Sequence, residues 1–593
     1  MGYRAPLREM LFVLRELADL PGISRLPGQE EHGMDTAAAV LDECARLCEA
    51  VIAPLNAPGD RQPARWQHGE VVTSPGFRAA YRQFAEGGWQ GLGHPAAEGG
   101  QGLPRVIAAA CAEMLQASSM AFGLCPMLTD GAIEALRIAA DPALRARYLP
   151  PLVAGRWSGA MDLTEPQAGS DLAAVSTRAE PQPDGSYRLF GGKIFITYGE
   201  HDLTENIVHL VLARITGAPQ GVGGISLFVV PKFRVLPDGS LGDRNDVHCV
   251  GIEHKLGIHA SPTATLRFGD REGAFGERVG APNQGLRTMF IMINAARFAV
   301  GLQGVGLCDR AFQLARAHAL ERVQGRAPEG GPEPVVIARH PDVRRMLLTM
   351  KASTEAARAL AYCAAAAGDR ARHAPDPTER SRQQALHEFL VPIVKGHGTE
   401  LAVEVASLGL QVHGGSGYIE ETGAAQHYRD ARILPIYEGT TAIQANDLVG
   451  RKTLRDGGTV ARRLCADIAD TEAALLAGGT PDCRVMADAL RAGRLALASA
   501  VDFMLAQGTA RPAAVHAGAV PYLRLAGLVL GGWQMARALL AALRCEAEDP
   551  AFSRARIATA RFYAESLLPQ AGALQAVVLH GGDTVAGLDI ALL

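Results

Sequence analysis

At Arg156 the spacing of apolar residues switches, and few architectures accommodate both sides of the switch. Upstream, from about Met34 to Leu152, apolar residues recur every three or four positions, as in TAAAVLDECARLCEAVIAPL and GFRAAYRQFAEGGW, with glycine and proline between the runs. That period lays one apolar stripe along each helix. Downstream the runs shorten to GSYRLFGGKIFIT, NIVHLVLARI, GISLFVVPKFRV and TATLRF, rich in Val, Ile, Phe and Leu and parted by turn clusters such as PDG and GVGG. These read as strands and predict a β module over about Trp157 to Asp270. After Gly285 the helical period returns in longer runs, broken by a Gly/Pro-rich loop at Arg326 to Arg339, and it continues beyond Arg451. The predicted class is mainly α with a central β module. Its expected parts are an N-terminal helical extension (1–33), a helical N-terminal domain (34–156), a middle β domain of barrel or sandwich type (157–280), a C-terminal helical bundle (281–450) and an extra helical C-terminal appendix (451–593).

A chain of 593 residues exceeds the size of one core, so several packed domains and room for a large ligand are expected. A net charge of -4, with no concentrated basic patch, argues against nucleic-acid binding. The ten cysteines form no Cys-x-x-Cys pair, and Cys44 and Cys48 lie one helical turn apart in an apolar pattern. Buried thiols in a reducing, cytoplasmic setting are the expectation. Leu7, Met10, Leu11, Leu14 and Leu17 mark one face of an amphipathic helix, read as packed on the body of the protein. In the C-terminal region the longest uncharged run, Leu525 to Ala536, is shorter than the roughly 20 residues of a bilayer span, so no transmembrane helix is expected.

The usual phosphate and metal signatures are missing. The glycine clusters at Gly301, Gly304 and Gly306 and at Gly221, Gly223 and Gly224 have the wrong spacing or context for a dinucleotide turn, and there is neither a Walker A loop nor a His-Glu-x-x-His helix. No metal site is predicted. Three other stretches carry possible chemistry. MDLTEPQAGSDL, Met161 to Leu172, offers hydroxyls at Thr164 and Ser170, carboxylates at Glu165 and Asp171 and a flexible Gly169. Such a turn can present hydroxyls and N–H groups to a polar ring or pyrophosphate, or be ordinary turn chemistry. In GGKIFITYGEHD, Phe195 and Thr197 share one side of a strand, which suits a flat heteroaromatic ring or a core Phe beside an exposed Thr. RILPIYEGTTAIQ places Glu438 before Thr440 and Thr441, as a catalytic carboxylate or as part of a helix cap.

Five segments in register, spread over about Asp35 to Arg451, resemble the acyl-CoA dehydrogenase family. LTEPQAGSD is similar to its flavin loop, KIFIT to the strand backing the isoalloxazine ring, and ERVQGR to the helix end that reaches a cofactor pyrophosphate across a dimer interface. LQVHGGSGY is similar to its glycine turn near the adenosine half, and YRDARILPIYEGTTAIQ to the segment carrying its base. The N-terminal helix and the appendix resemble its long bacterial branch. The resemblance implies FAD held by Met161, Leu163, Thr164, Gly169, Ser170, Phe195, Thr197, Arg322, Gln324, Gln411, Gly415 and Thr440. It implies a substrate site at Ser170, Glu438 and Gly439, with Glu438 as the base and the thioester oxygen held by the Glu438 N–H and a ribityl hydroxyl.

The implied reaction is α,β-dehydrogenation of an acyl-CoA to the trans-2-enoyl-CoA, with flavin N5 taking the hydride. Electron-transfer flavoprotein is the implied acceptor, and a homodimer or dimer of dimers the implied assembly. Alternatives in the same superfamily are an acyl-CoA oxidase using oxygen and a DNA-associated flavoprotein. Some relatives carry the base on the loop after the β module, but residues 254–269 contain no carboxylate. Four positions depart from the common pattern: Phe195 stands for tryptophan, Gln167 for glycine, Ala264 for arginine and Ala442 for glutamine.

Overall fold

The computed structural model describes residues 2–593. The chain opens with α1 (Leu7–Phe12), which widens into a further turn at Val13–Leu17 and buries Met10, Val13, Leu14 and Leu17. A helical unit follows: α2 (Met34–Leu47), α3 (Phe77–Glu86), α4 (Arg105–Ser118), α5 (Met120–Ala139) and α6 (Pro142–Val153). Side-chain caps fix where the last two start. Ser119 accepts from the Phe122 N–H, and Asp141 accepts from Ala143 and Leu144.

Eight strands form the main sheet of the β module: β1 (Trp157–Asp162), β2 (Arg178–Pro181), β3 (Tyr187–Thr197), β4 (Asn206–Ile215), β5 (Ile225–Pro231), β6 (Val247–Ile252), β7 (Thr263–Phe268) and β8 (Ala274–Val279). Pairing runs β2 to β3, β3 to β8, β8 to β5, β5 to β4 and β4 back to β2, so these five strands close a ring. Closure leaves no free edge among them. β1 adds to β4 in parallel, with Trp157 opposite Asn206, while β7 and then β6 extend the sheet from β3. Every residue of β5 is buried, as expected of a strand covered on both faces.

Behind the module stand three long helices, α7 (Gly285–Glu321), α8 (Pro341–His373) and α9 (Pro377–His413), followed by the short α10 (Ala424–Ala431) and α11 (Thr441–Val449). The appendix contributes α12 (Thr459–Gly478), α13 (Pro481–Gln507), α14 (Ala519–Arg544), α15 (Pro550–Phe562) and α16 (Gln570–His580). α14 crosses α9 closely. A Cβ on Gly527 would lie 2.3 Å from the His397 ring, and one on Gly396 would lie 2.9 Å from Leu523. Glycine at these two places is what lets the helices approach.

Two helices reach the length and apolarity of a membrane span, although charged residues interrupt the apolar run in each. They are α7 and α14, with window hydropathies of 1.4 and 1.3, yet 61% and 83% of those windows is buried inside the protein. Their apolar surface is consumed by neighbouring helices, as in core helices.

Among those helices lies a charged cluster shut off from water. Arg358 of α8 donates to Glu113 of α4 through Nε at 2.8 Å and Nη2 at 2.6 Å, and to Asp309 of α7 at 3.1 Å. Tyr362 adds a bond to Glu113 at 2.7 Å. Burial pushes Asp309 up to about 6, against the pull of Arg358. Removing one partner of such a cluster strands the others without solvation. Arg358→Ala is therefore expected to cost about 3–5 kcal/mol, read as a lowered urea midpoint, whereas Arg462→Ala, in an exposed pair with Asp502, should barely move it.

Candidate active site

Past β1 the chain turns sharply, and one carboxylate organises that turn. Glu165 accepts from the N–H and hydroxyl of Ser176 (2.8 and 2.7 Å), the N–H and hydroxyl of Thr177 (3.1 and 2.6 Å) and Gln167 Nε2 at 2.7 Å. Lys193 Nζ completes the set at 2.8 Å and also bonds the Leu163 carbonyl at 2.9 Å. Burial would raise the Glu165 pKa, but the Lys193 charge and the hydroxyl donors outweigh it and lower it to about 2. The Thr164 carbonyl takes the Ile194 N–H at 2.9 Å, which stitches the turn to β3. Met161, Leu163 and Thr164 are half-buried, while Gly169 and Ser170 stand exposed at the tip.

β3 itself is irregular at the adjoining position. Its register with β7 shifts between Ala264 and Leu266, and Phe195 sits in this bulge with φ +60°. An aromatic residue in the left-handed region is strained. The bulge turns Phe195 outward, 59% exposed, with Thr197 on the same side and Ile196 buried between them. The core reading of Phe195 is thereby excluded. Tyr198 follows, also at positive φ, and its hydroxyl donates to the Ala121 carbonyl at 2.7 Å, docking the strand end on the start of α5.

The Glu438 turn reaches the same region. Tyr437 donates to Gln303, Gln303 to Gln116, and Gln116 to the Gly123 carbonyl, two residues from Ala121. Glu438 has φ +53° and Gly439 φ +88°. Fully buried Lys395 holds this turn from behind, donating to the Leu434 carbonyl at 2.9 Å and the Gly439 carbonyl at 2.6 Å. Gln444 Nε2 gives the Gly439 carbonyl a second bond at 3.1 Å.

Helix capping here belongs to Thr440, whose hydroxyl accepts from the Ile443 N–H at the start of α11. Among the described residues no hydrogen-bond donor reaches the Glu438 carboxylate. Burial raises its pKa to about 7, with Lys395 and Arg297 pulling the other way. Lys395 is lowered to about 8, chiefly by burial and against the charge of Glu438.

Arg322 and Gln324 stand elsewhere. Both are exposed beyond the end of α7, bonded to each other at 3.2 Å, and neither bonds to the Met161–Leu172 turn or the Glu438 turn. Gln411 and Gly415 are likewise exposed at the end of α9. A stack of His318 on His413, with centroids 4.4 Å apart, ties these two helix ends together. Sequence reading missed Lys395, Arg297 and Gln303, polar residues within the apolar runs LVPIVKGHG, INAARFAVG and VGLQGVG. A polar side chain inside such a run is the available signal.

An exposed aromatic face with a hydroxyl beside it, and an open turn tip of Gly169 and Ser170 stitched to that strand, fit a flat ring with a polar edge. Among the described residues no group of three or more His, Cys, Asp or Glu is placed to hold a metal ion.

Family models match nearly the whole chain. They are acyl-CoA dehydrogenase N-terminal domain (residues 34–156), middle domain (160–271) and C-terminal domain (283–452), and acetyl-CoA dehydrogenase C-terminal like (464–589). The chain is 51% identical over 591 residues to a 3-methylmercaptopropionyl-CoA dehydrogenase of Ruegeria pomeroyi, covering 99% of both. It is 34% identical over 587 residues to a butyryl-CoA dehydrogenase of Syntrophomonas wolfei, covering 96% of this chain and 95% of that one. Among solved structures, an acyl-CoA dehydrogenase complexed with FAD from Bacillus anthracis superposes with a TM-score of 0.71 at 21% identity, covering 94% of this chain and 90% of that one.

If Glu165 holds the turn together, Glu165→Ala should speed amide hydrogen exchange across residues 163–177 and leave exchange in α7 as it was. Unchanged exchange in that segment would show that the turn is shaped by something else.

Proposed function

The chain belongs to the acyl-CoA dehydrogenase family, and from that premise we propose that Glu438 removes the α-proton of a bound acyl-CoA thioester. It is an oxidoreductase acting on CH–CH bonds and FAD is its cofactor. The closest supporting observation is the state of Glu438: half-buried, without a hydrogen-bond donor, and shifted to about 7. An α C–H beside a thioester carbonyl is a poor acid, so a useful base has to bind protons more tightly than an ordinary carboxylate does. A base near 7 is still half ionised at neutral pH.

Bound FAD supplies acceptance of the β-hydrogen as hydride, which no side chain performs. Phe195 and Thr197 are assigned to back its ring. Met161, Leu163, Thr164, Gly169 and Ser170 are assigned to its polar edge, and Thr440 to the near side of the Glu438 turn. The exposed Arg322 and Gln324, with Gln411 and Gly415, are assigned to the cofactor of a second subunit, which makes a homodimer or dimer of dimers the proposed assembly. Ser170 and the Glu438 and Gly439 backbone orient the thioester. Lys395 and Arg297 keep Glu438 from rising further, so that the proton it has taken can leave again. Electron-transfer flavoprotein is the proposed acceptor, with oxygen as the alternative, and a cytoplasmic setting is proposed.

Glu438→Gln should keep FAD and lose anaerobic bleaching by acyl-CoA; full bleaching by the variant would refute the base assignment. The carboxylate must be ionised to accept a proton, so wild-type kcat should rise with pH and level off above about 7. Stability carries the opposite sign. A folded-state pKa above the unfolded value means the native state holds the extra proton, and stability falls as pH rises toward 7. The melting temperature of Glu438→Gln relative to wild type should therefore increase from pH 5 to pH 8. Lys395→Met removes a cation that favours the ionised base, and its rate profile should rise at higher pH than that of wild type.

A further inference from the structure

A cavity of about 330 Å³ lies where the N-terminal extension, the bundle helices α8 and α9 and the appendix helices α12 and α14 meet. None of the residues assigned above to FAD or to the thioester lines it. Its walls are largely aliphatic, built by Leu360, Leu386, Leu390, Leu464 and Leu530. Polar groups stand at two places on those walls.

At the first, Arg537 donates to the Leu17 carbonyl and to Gln534 Oε1, both at 2.7 Å, and Arg370 donates to the Asp19 carboxylate at 2.8 Å. Arg370 makes its bonds through Nη2 alone, so among the described residues no acceptor reaches its Nε or Nη1. Gln534 is 1% exposed, and its Nε2 has no acceptor either. At the second place, between α9 and α12, the Asp467 carbonyl takes the Thr471 hydroxyl, while no donor and no salt-bridge partner reaches the half-buried Asp467 carboxylate. Gln383 lies on the same wall, with Nε2 given to Glu379 at 2.8 Å and Oε1 left over.

We infer that this cavity is a binding site for an apolar α-amino acid such as leucine or methionine. Arg370 and Gln534 take its carboxylate, Asp467 and Gln383 its ammonium group, and the leucines its side chain. Spare donors at one place and spare acceptors at the other call for a molecule with both charges. A fatty-acid anion would leave Asp467 facing apolar atoms, and an alkylamine would leave the Arg370 and Gln534 donors unmet. Polar groups left so beside a desolvated ligand cost free energy. Burial already raises the Asp467 pKa, with Arg463 pulling the other way. The volume is that of a small-metabolite pocket. Leu390 stands on α9 shortly before Lys395, so an occupant would tie the N-terminal extension and the appendix to the helix that holds the Glu438 turn.

The test is calorimetric titration of the FAD-loaded enzyme with leucine, with 4-methylpentanoate, which lacks the ammonium group, and with 3-methylbutylamine, which lacks the carboxylate. Leucine should bind, raise the melting temperature and slow amide exchange at residues 13–24, and the two truncated compounds should each bind about tenfold or more weakly. Asp467→Asn, which loses no side-chain hydrogen bond and so should fold, should weaken leucine about tenfold or more and leave 4-methylpentanoate unchanged. Saturation with the unreactive butyl thioether of CoA should not displace leucine. Absence of leucine and methionine binding would overturn the inference, as would 4-methylpentanoate binding as tightly as leucine, an undiminished affinity in Asp467→Asn, or displacement by the thioether. None of these outcomes bears on the role of Glu438, which the flavin bleaching tests separately. The wild-type comparison of the three compounds decides even if the variant does not fold.

Discussion

An ammonium group with no water around it sets the shape of the reactive turn. Lys395 reaches out of α9 to two carbonyls, those of Leu434 and Gly439, which bracket Glu438. Burying an amine costs free energy that only well-placed acceptors recover, so the turn is held where those two carbonyls must be. Glu438 then occupies a left-handed backbone conformation that costs about 1–3 kcal/mol in isolation. Surrounding contacts sustain that strain. With Thr440 capping that helix, the carboxylate is left without a structural duty.

A second buried lysine does comparable work on the other segment. Lys193 joins the Leu163 carbonyl to Glu165, and Glu165 gathers the main chain of Ser176 and Thr177. In both places a long cationic side chain from a regular element fixes an irregular segment, Lys395 through two backbone carbonyls and Lys193 through one carbonyl and the Glu165 carboxylate. The regular elements are in turn positioned by the closed strand ring and by the packed α7, α8 and α9. Rigid scaffolding of loops by buried charge is one way to hold reactive groups to within fractions of an ångström.

The alternation of strands and the longer helical periods are legible in the sequence, because burial on one face imprints its period on it. The Glu438 turn was legible for a different reason, through a resemblance spread over five segments in order. The orientation of Phe195 was not, because alternation assumes a regular strand and here a bulge with φ +60° intervenes. The outward pair of Phe195 and Thr197 keeps the expected side even so. Lys395, Arg297 and Gln303 stayed silent for a third reason. A polar residue in an apolar helix acquires meaning only from the polar group that faces it, and for Gln303 that group, the Tyr437 hydroxyl, lies more than a hundred residues away. The apolar lengths of α7 and α14 were hidden by scattered charges that their neighbours in the fold accommodate.

The crossing of α14 over α9 bears on how such a protein can be trimmed. Gly527 lies against the His397 ring, two residues along the helix from Lys395. Shortening the chain after α11 would bare that stretch of α9 to solvent and admit water toward the ammonium that shapes the turn. A minimal version would need new polar residues on the uncovered face of α9, chosen to leave Lys395 dry, before it could be treated as a freestanding catalyst.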